Sequence, residues 1–402
     1  MPAFRLFAAA VLALVVAAPL AAPTPARAAS SFKVALIVGP MGSTTTPHNR
    51  DQANQVAAQV TALGATVTKA YSPNATYAKV RAAVAGANII VYWGHGNGFP
   101  NPYNSRLQPD RNNGWGLNTT TTHGDADSWS AHTLVYCGEK ALEGHLTSSD
   151  GADQRKYCAG GAIAPAAGFV MIYVGSCYTA GGNENGRPAA TNSDAKLHAA
   201  YFSRPMIGAL GASGYFAGRS WGIVADLLAN PDKSYGDIYN ENMPYGVTAY
   251  AMPHALVSGA SEWLTRQSSD PYWFYAFAGD PARTFNGGTS TFTAPSGTAD
   301  FNAPRIKTRT PAPSKTGVAN TSKVVISFTE NVIGAASNLT LWRGSTKVSA
   351  TVAYSSSTWT ATLSTSAHLA KGVTYTVKVG SSIRDAAGNR IPAQSWWFRT
   401  AS

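Results

Sequence analysis

The feature that most constrains the fold is a regular change of pattern between Lys33 and Trp93. Lys33–Val38 (Lys-Val-Ala-Leu-Ile-Val) is a short β-prone apolar run stopped by Gly39 and Pro40, as a strand buried on both faces would be. Residues 51–63 then place Ala53, Val56, Ala57, Val60 and Leu63 at helical spacing, and Gly64 follows as a C-terminal stop. Residues 65–71 alternate as a strand does, 77–85 read as a helix, and 88–93 form a second buried-strand run. Strand, helix, strand, helix and strand in turn predict an α/β domain with a mainly parallel sheet flanked by helices.

After Trp93 the pattern lapses into Gly, Asn, Thr, Asp and Trp as far as Gly168. A loop region of that length inside a domain is commonly functional or an insertion, and residues 98–168 are read as one. Order resumes with the apolar strand 169–174 (Phe-Val-Met-Ile-Tyr-Val), which runs into Gly175, Ser176 and Cys177. The pattern then predicts helices over 194–202, 222–229 and within 253–267, and a strand over 205–210. Residues 273–278 lead into a closing turn at Gly279, Asp280 and Pro281.

The first domain is thus expected over 29–286 and a Gly/Thr/Ser/Ala/Pro-rich linker over 287–302. Residues 303–402 carry short alternating runs separated by turn residues, which predict an all-β sandwich. Residues 1–28 place an apolar stretch after Arg5 and end in Ala26-Arg27-Ala28, the pattern of a signal peptide. A secreted, soluble protein, extracellular or held at a cell surface, is the expectation, with no transmembrane span.

The formal charge of +11 is not spread evenly: residues 303–402 hold 12 Lys/Arg against 2 Asp/Glu. The basic module is therefore the segment suited to an anionic cell-surface polymer; no nucleic-acid partner is expected. Three cysteines in an oxidising compartment leave one over. Cys137 and Cys158 lie in polar, Gly-rich sequence, whereas Cys177 ends an apolar run. A Cys137–Cys158 disulfide with a free Cys177 is expected.

Open parallel sheets place ligands beyond the carboxyl ends of their strands, and two such ends carry reactive side chains: Ile89 to Trp93 leads to Gly94-His95-Gly96, and 169–174 leads to Cys177. A thiol serves as nucleophile when an imidazole can manage its proton. Here the chain resembles the caspase-like cysteine peptidases, the group that includes caspases, legumains, clostripain and gingipains. They share an apolar strand ending in His-Gly and a later one ending in a small residue and Cys. Residues 207–214 and Phe277-Ala-Gly-Asp-Pro281 further resemble the gingipain-like branch. The resemblance implies a caspase-like α/β domain over about 31–285, with Cys177 as nucleophile and His95 as general acid/base. It also implies an oxyanion hole from the backbone N–H groups of Gly96 and Cys177, a thioester acyl-enzyme, a protein or peptide substrate, and no metal. The interval from His95 to Cys177 is 82 positions, longer than is usual in that group, and the insertion accounts for it. The C-terminal module resembles the bacterial Ig-like domains of the surface-layer type through Phe328-Thr-Glu330, Leu369-Ala-Lys-Gly-Val-Thr-Tyr375, Asp385-Ala-Ala-Gly-Asn389 and Trp397-Phe398.

Other side chains enter as weaker candidates. Asp125, Asp127, Asp150 and Asp153 sit among Gly, Thr and Ser as possible Ca²⁺ ligands, although their spacing is not that of an EF-hand. His95, His123, His132 and His145 fit no familiar zinc spacing. Residues 213–219 are a candidate pocket-lining loop. A non-catalytic surface or adhesion protein on the same scaffold, or an amidase acting on cell-wall peptides, are the alternative functions.

Overall fold

The computed structural model describes residues 32–103, 106–242, 247–267, 272–287, 303–385 and 390–402. The expected signal peptide, residues 288–302 of the expected linker and residues 386–389 lie outside the described residues.

The chain opens with β1 (Lys33–Val38), α1 (Gly42–Ala62), β2 (Thr66–Tyr71), α2 (Tyr77–Val84) and β3 (Ile89–Trp93), in the order the apolar pattern predicts. The polar segment that follows holds β4 (Trp115–Asn118), β5 (Leu134–Cys137), α3 (Glu139–Leu142) and α4 (Ala152–Tyr157). The main alternation resumes with β6 (Val170–Val174), α5 (Asn192–Arg204), β7 (Gly214–Gly218), α6 (Gly222–Ala229) and α7 (Tyr235–Glu241). Three further strands, β8 (Val247–Pro253), β9 (Ser261–Gln267) and β10 (Trp273–Gly279), complete the region.

The eight-stranded sheet runs β2-β1-β3-β6-β7-β10-β9-β8. Its first five strands are parallel and the last three are antiparallel. Because successive strand residues point to opposite faces, each buried strand feeds two cores. Ala35, Ile37, Ile90, Tyr92, Met171 and Tyr173 pack with α2, α5 and the polar segment. Val34, Leu36, Val38, Val91, Trp93 and Ile172 pack with α1, α6 and α7. The polar segment is itself anchored in the first core by Trp115, Leu117, Val135 and Leu142. The disulfide Cys137–Cys158 ties the end of β5 to the end of α4.

Two elements differ from expectation. Residues 205–210 are not a strand: Pro205–Ala209 continues α5 as a π-helical stretch, closed by Leu210 N–H donating to the Pro205 carbonyl (2.9 Å). Proline has no N–H to give to the α-helical ladder, and the place beside β6 is taken by β7, in register Val170↔Gly214 through Val174↔Gly218. Residues 253–267 are not a helix but the turn and second strand of the β8–β9 hairpin, paired Pro253↔Ser261. Trp263 faces one core and Leu264 the other, a period-2 division that the sheet partner β10 selects over helical spacing.

Residues 303 onward form a two-sheet sandwich. One sheet contains β11 (Ile306–Thr310), β13 (Val324–Phe328), β16 (Ala350–Ser355) and β17 (Thr360–Thr365); the other contains β12 (Lys315–Val318), β14 (Leu339–Arg343), β15 (Thr346–Val348), β18 (Thr374–Val379) and β19 (Gln394–Thr400). Val324, Ile326, Phe328, Val377, Trp396 and Phe398 fill the space between them. Among the described residues no helix is long and apolar enough to cross a membrane.

Candidate active site

The strand order reverses between β1 and β3, the place where an open α/β sheet usually leaves a ligand crevice. Here the backbone of β4 fills it. The Gly116 N–H donates to Tyr92 Oη (2.8 Å), and that hydroxyl lies within reach of the carbonyls of His95 (2.9 Å) and Gly116 (3.1 Å). The available site is displaced by one strand, to the ends of β3 and β6, which pair Trp93↔Val174.

At those ends Gly96, the residue after His95, packs on the backbone of Cys177. A Cβ on Gly96 would lie 2.0 Å from the Cys177 carbonyl oxygen, a backbone contact that leaves room for glycine alone. Cys177 is the free cysteine and is half-buried. Tyr178, immediately after it, adopts φ +68, a strained conformation for a residue with a side chain. Among the described residues, neither the Gly96 nor the Cys177 N–H donates to another backbone group.

His95 Nε2 lies 3.1 Å from Asp127 Oδ2. Because an ionised carboxylate only accepts, it holds the imidazole proton on Nε2 and leaves Nδ1 as the basic nitrogen. The loop after β4 that carries Asp127 is fixed two residues earlier. Arg50, on α1, makes a bidentate pair with Asp125 (2.8 and 3.0 Å), Ser72 Oγ donates to Asp125 Oδ1 (2.9 Å), and Gly42 N–H donates to the Asp125 carbonyl (3.0 Å). The supposed insertion thus supplies a partner to His95. Sequence reasoning weighed Asp127 only as a cation ligand, since a carboxylate 32 residues from its imidazole leaves no local signature.

Burial pushes the Cys177 thiol above its ordinary value, with the backbone N–H of Asn185 acting the other way and the charge of Glu184 adding to the rise. Among the described residues no hydrogen bond joins the sulfur to His95. The raised thiol is thus held protonated rather than as a stored thiolate.

The remaining candidates disperse. Asp150 pairs with Lys140 (2.6 and 2.8 Å) and Asp153 with His132 (2.8 Å); His145 faces Glu143 (3.3 Å) and His123 faces Thr119 (3.0 Å). Among the described residues no three metal-type side chains gather. A buried Ser203–His254 contact (2.8 Å) imitates a catalytic pair. However, His254 Nδ1 accepts from the Leu256 and Val257 N–H groups (3.0 and 2.9 Å), so its proton sits on Nε2, facing the serine. Burial lowers the His254 pKa to about 4. That histidine cannot take the serine proton.

Two depressions flank the strand ends. One, of about 330 Å³, includes Gly96, Asn97, Arg111, Trp129, Tyr136 and Glu184. The other, of about 70 Å³, includes Cys177, Asn183, Asn185, Gly218, Arg219 and Phe274. Of residues 213–219, all but the last form β7 or its approach, and only Gly218 and Arg219 reach this pocket.

Residues 300–400 match the family model described as bacterial Ig-like domain, in agreement with the two-sheet sandwich found there. No curated protein matches the chain. Among solved structures, the S-layer protein rSbsC(31-844) aligns at 24% identity over 25% of this chain and 14% of its own, with a TM-score of 0.20. CopC from Methylosinus trichosporium OB3b aligns at 18% identity over 24% of this chain and 93% of its own, with a TM-score of 0.22. An L,D-transpeptidase from Mycobacterium smegmatis aligns at 17% identity over 24% of this chain and 40% of its own, with a TM-score of 0.18.

Proposed function

We propose that the protein is a secreted cysteine endopeptidase of caspase-like type, its basic Ig-like module of surface-layer type holding it near an anionic surface. The observation that carries this reading is the Asp127–His95 pair (3.1 Å) set where Gly96 packs on the backbone of the free Cys177. In the mechanism, Cys177 Sγ attacks the substrate carbonyl as His95 Nδ1 takes the thiol proton. The Gly96 and Cys177 N–H groups receive the developing oxyanion. The tetrahedral intermediate collapses as the imidazolium gives its proton to the leaving amine, forming a thioester. Water, deprotonated by His95, then attacks the thioester; the acid departs and the thiol is restored. Asp127 holds the ring and stabilises its charged form throughout.

The half-buried thiol, with no hydrogen bond to His95 among the described residues, favours a second reading, a non-catalytic surface or adhesion protein on this scaffold. Alkylation with iodoacetamide, read by mass spectrometry, separates the two. The peptidase reading expects fast labelling of Cys177 that falls at least about tenfold in His95→Ala. Slow labelling that the substitution leaves unchanged favours the non-catalytic protein.

A further inference from the structure

Resting on the reading of the basic sandwich as an anchor, we infer that the outer face of its five-stranded sheet binds an acidic polysaccharide, stacking sugar rings on Trp342 and Trp397. The sheet runs β12-β19-β18-β14-β15. Trp342 on β14 pairs with Thr376 on β18, and Thr376 pairs with Trp397 on β19, so the three side chains form one row across adjacent strands. Because side chains alternate between faces, Leu341, Val377, Trp396 and Phe398 fill the core while this row points outward. Trp397 is 41% exposed. The ring of Trp342 is oriented by its Nε1–H, which donates to Thr340 Oγ1 (2.9 Å). Two inter-strand steps place the tryptophan backbones about 10 Å apart, the length of two sugar units in an extended glycan.

The chemistry around the rings suits a sugar acid rather than an apolar partner. The neighbouring rows bring Thr340, Lys378 and Ser395 to one flank and Thr374 and Arg399 to the other. None of these is aliphatic. The C–H face of a pyranose lies flat against an indole, and hydroxyls beside the rings serve the sugar's own hydroxyls. A lipid or an apolar protein face would instead leave those groups without partners. The charge is equally one-sided. The Lys378 ammonium lies 4.1 Å from the centroid of the Trp342 ring, and Lys347, paired with Trp342 on its other side, is exposed. The acidic residues of the sandwich, Glu330 and Asp385, lie on no strand of this sheet, so the strands themselves present cations alone. A depression of about 500 Å³ continues the flank, lined by Thr340, Lys378 and Ser395 together with Asn338 and Gln394. A carboxylate carried on a ring stacked at Trp342 would meet Lys378 at its edge.

The test is affinity electrophoresis of the full-length chain through gels holding one of three polymers. Carboxymethyl cellulose is an acidic glycan, hydroxyethyl cellulose has the same sugar backbone without charge, and polyacrylate has charge without sugar. The expected result is stronger retardation by carboxymethyl cellulose than by either of the others. Trp342→Ala and Trp397→Ala should each lower affinity for the acidic glycan at least about fivefold while leaving polyacrylate binding unchanged, and Trp397→Tyr should retain most of it. Lys378→Gln should lower glycan affinity and weaken its dependence on salt. Equal binding of carboxymethyl cellulose and polyacrylate, or glycan binding that survives both tryptophan-to-alanine substitutions, overturns the inference and leaves the electrostatic anchor in place. Binding to phosphatidylglycerol vesicles that is lost in Trp397→Ala, with the glycans ignored, overturns it in favour of a lipid surface. Failure of every anionic polymer to retard the chain overturns the anchor as well.

Discussion

Asp127 shows how much of a site can rest on one side chain. If it fixes the proton of His95 on Nε2, then Asp127→Asn, whose amide can present an N–H instead, reverses the tautomer without emptying the space. The expected outcome is a fall in kcat of at least about 100-fold with KM little changed, measured on the best peptide substrate. Glu262 on β9 is the opposite case, a carboxyl that works against the fold at neutral pH. It is fully buried, and burial raises its pKa from 4.5 to about 8, only partly offset by the Ala255 N–H and the charge of Lys196. Between these two values the folded chain keeps a proton that the unfolded chain has released. The group's contribution is therefore fully favourable below the lower value and is lost as pH rises toward the upper one. Glu262→Gln should remove that dependence and gain on the order of 2–4 kcal/mol relative to the unaltered protein at pH 8. Urea midpoints at pH 5 and pH 8 measure it.

Among the elements, those buried on both faces were the legible ones. The runs at β1, β3 and β6 carry enough apolar length to announce themselves, and so they locate His95 and Cys177. Strands β8, β9 and β10 are defined by antiparallel partners rather than by their own composition, which is why the spacing of residues 253–267 predicts a helix where the sheet forms a strand. In the sandwich, β11 and β12 are short, mostly exposed strands carrying Lys307, Arg309 and Lys315, with little apolar pattern of their own to mark them. The pairing of Cys137 with Cys158 was accessible by counting thiols. The meeting of Asp127 with His95 was not, because it depends on Arg50 and Ser72 holding a loop from a distant part of the chain.

At the scale of the molecule, the charge is concentrated in the sandwich, with 12 basic residues against 2 acidic ones over residues 303–402. Retention of the full-length chain on an anionic polymer resin should therefore be strong at low salt and fall steeply as ionic strength rises toward about 1 M, where the screening length is about 3 Å. Elution profiles at graded salt check this, and retention indifferent to salt would exclude an electrostatic anchor. The β4 backbone that occupies the crevice between β1 and β3 has a kinetic consequence for a peptidase of the proposed kind. With the sheet's natural cleft closed from within, the reacting groups of the proposed peptidase stand at a rim that a polypeptide reaches sideways. Capture is then governed by how often a target exposes an extended stretch of chain, so loosened proteins would be consumed first and tightly folded neighbours spared.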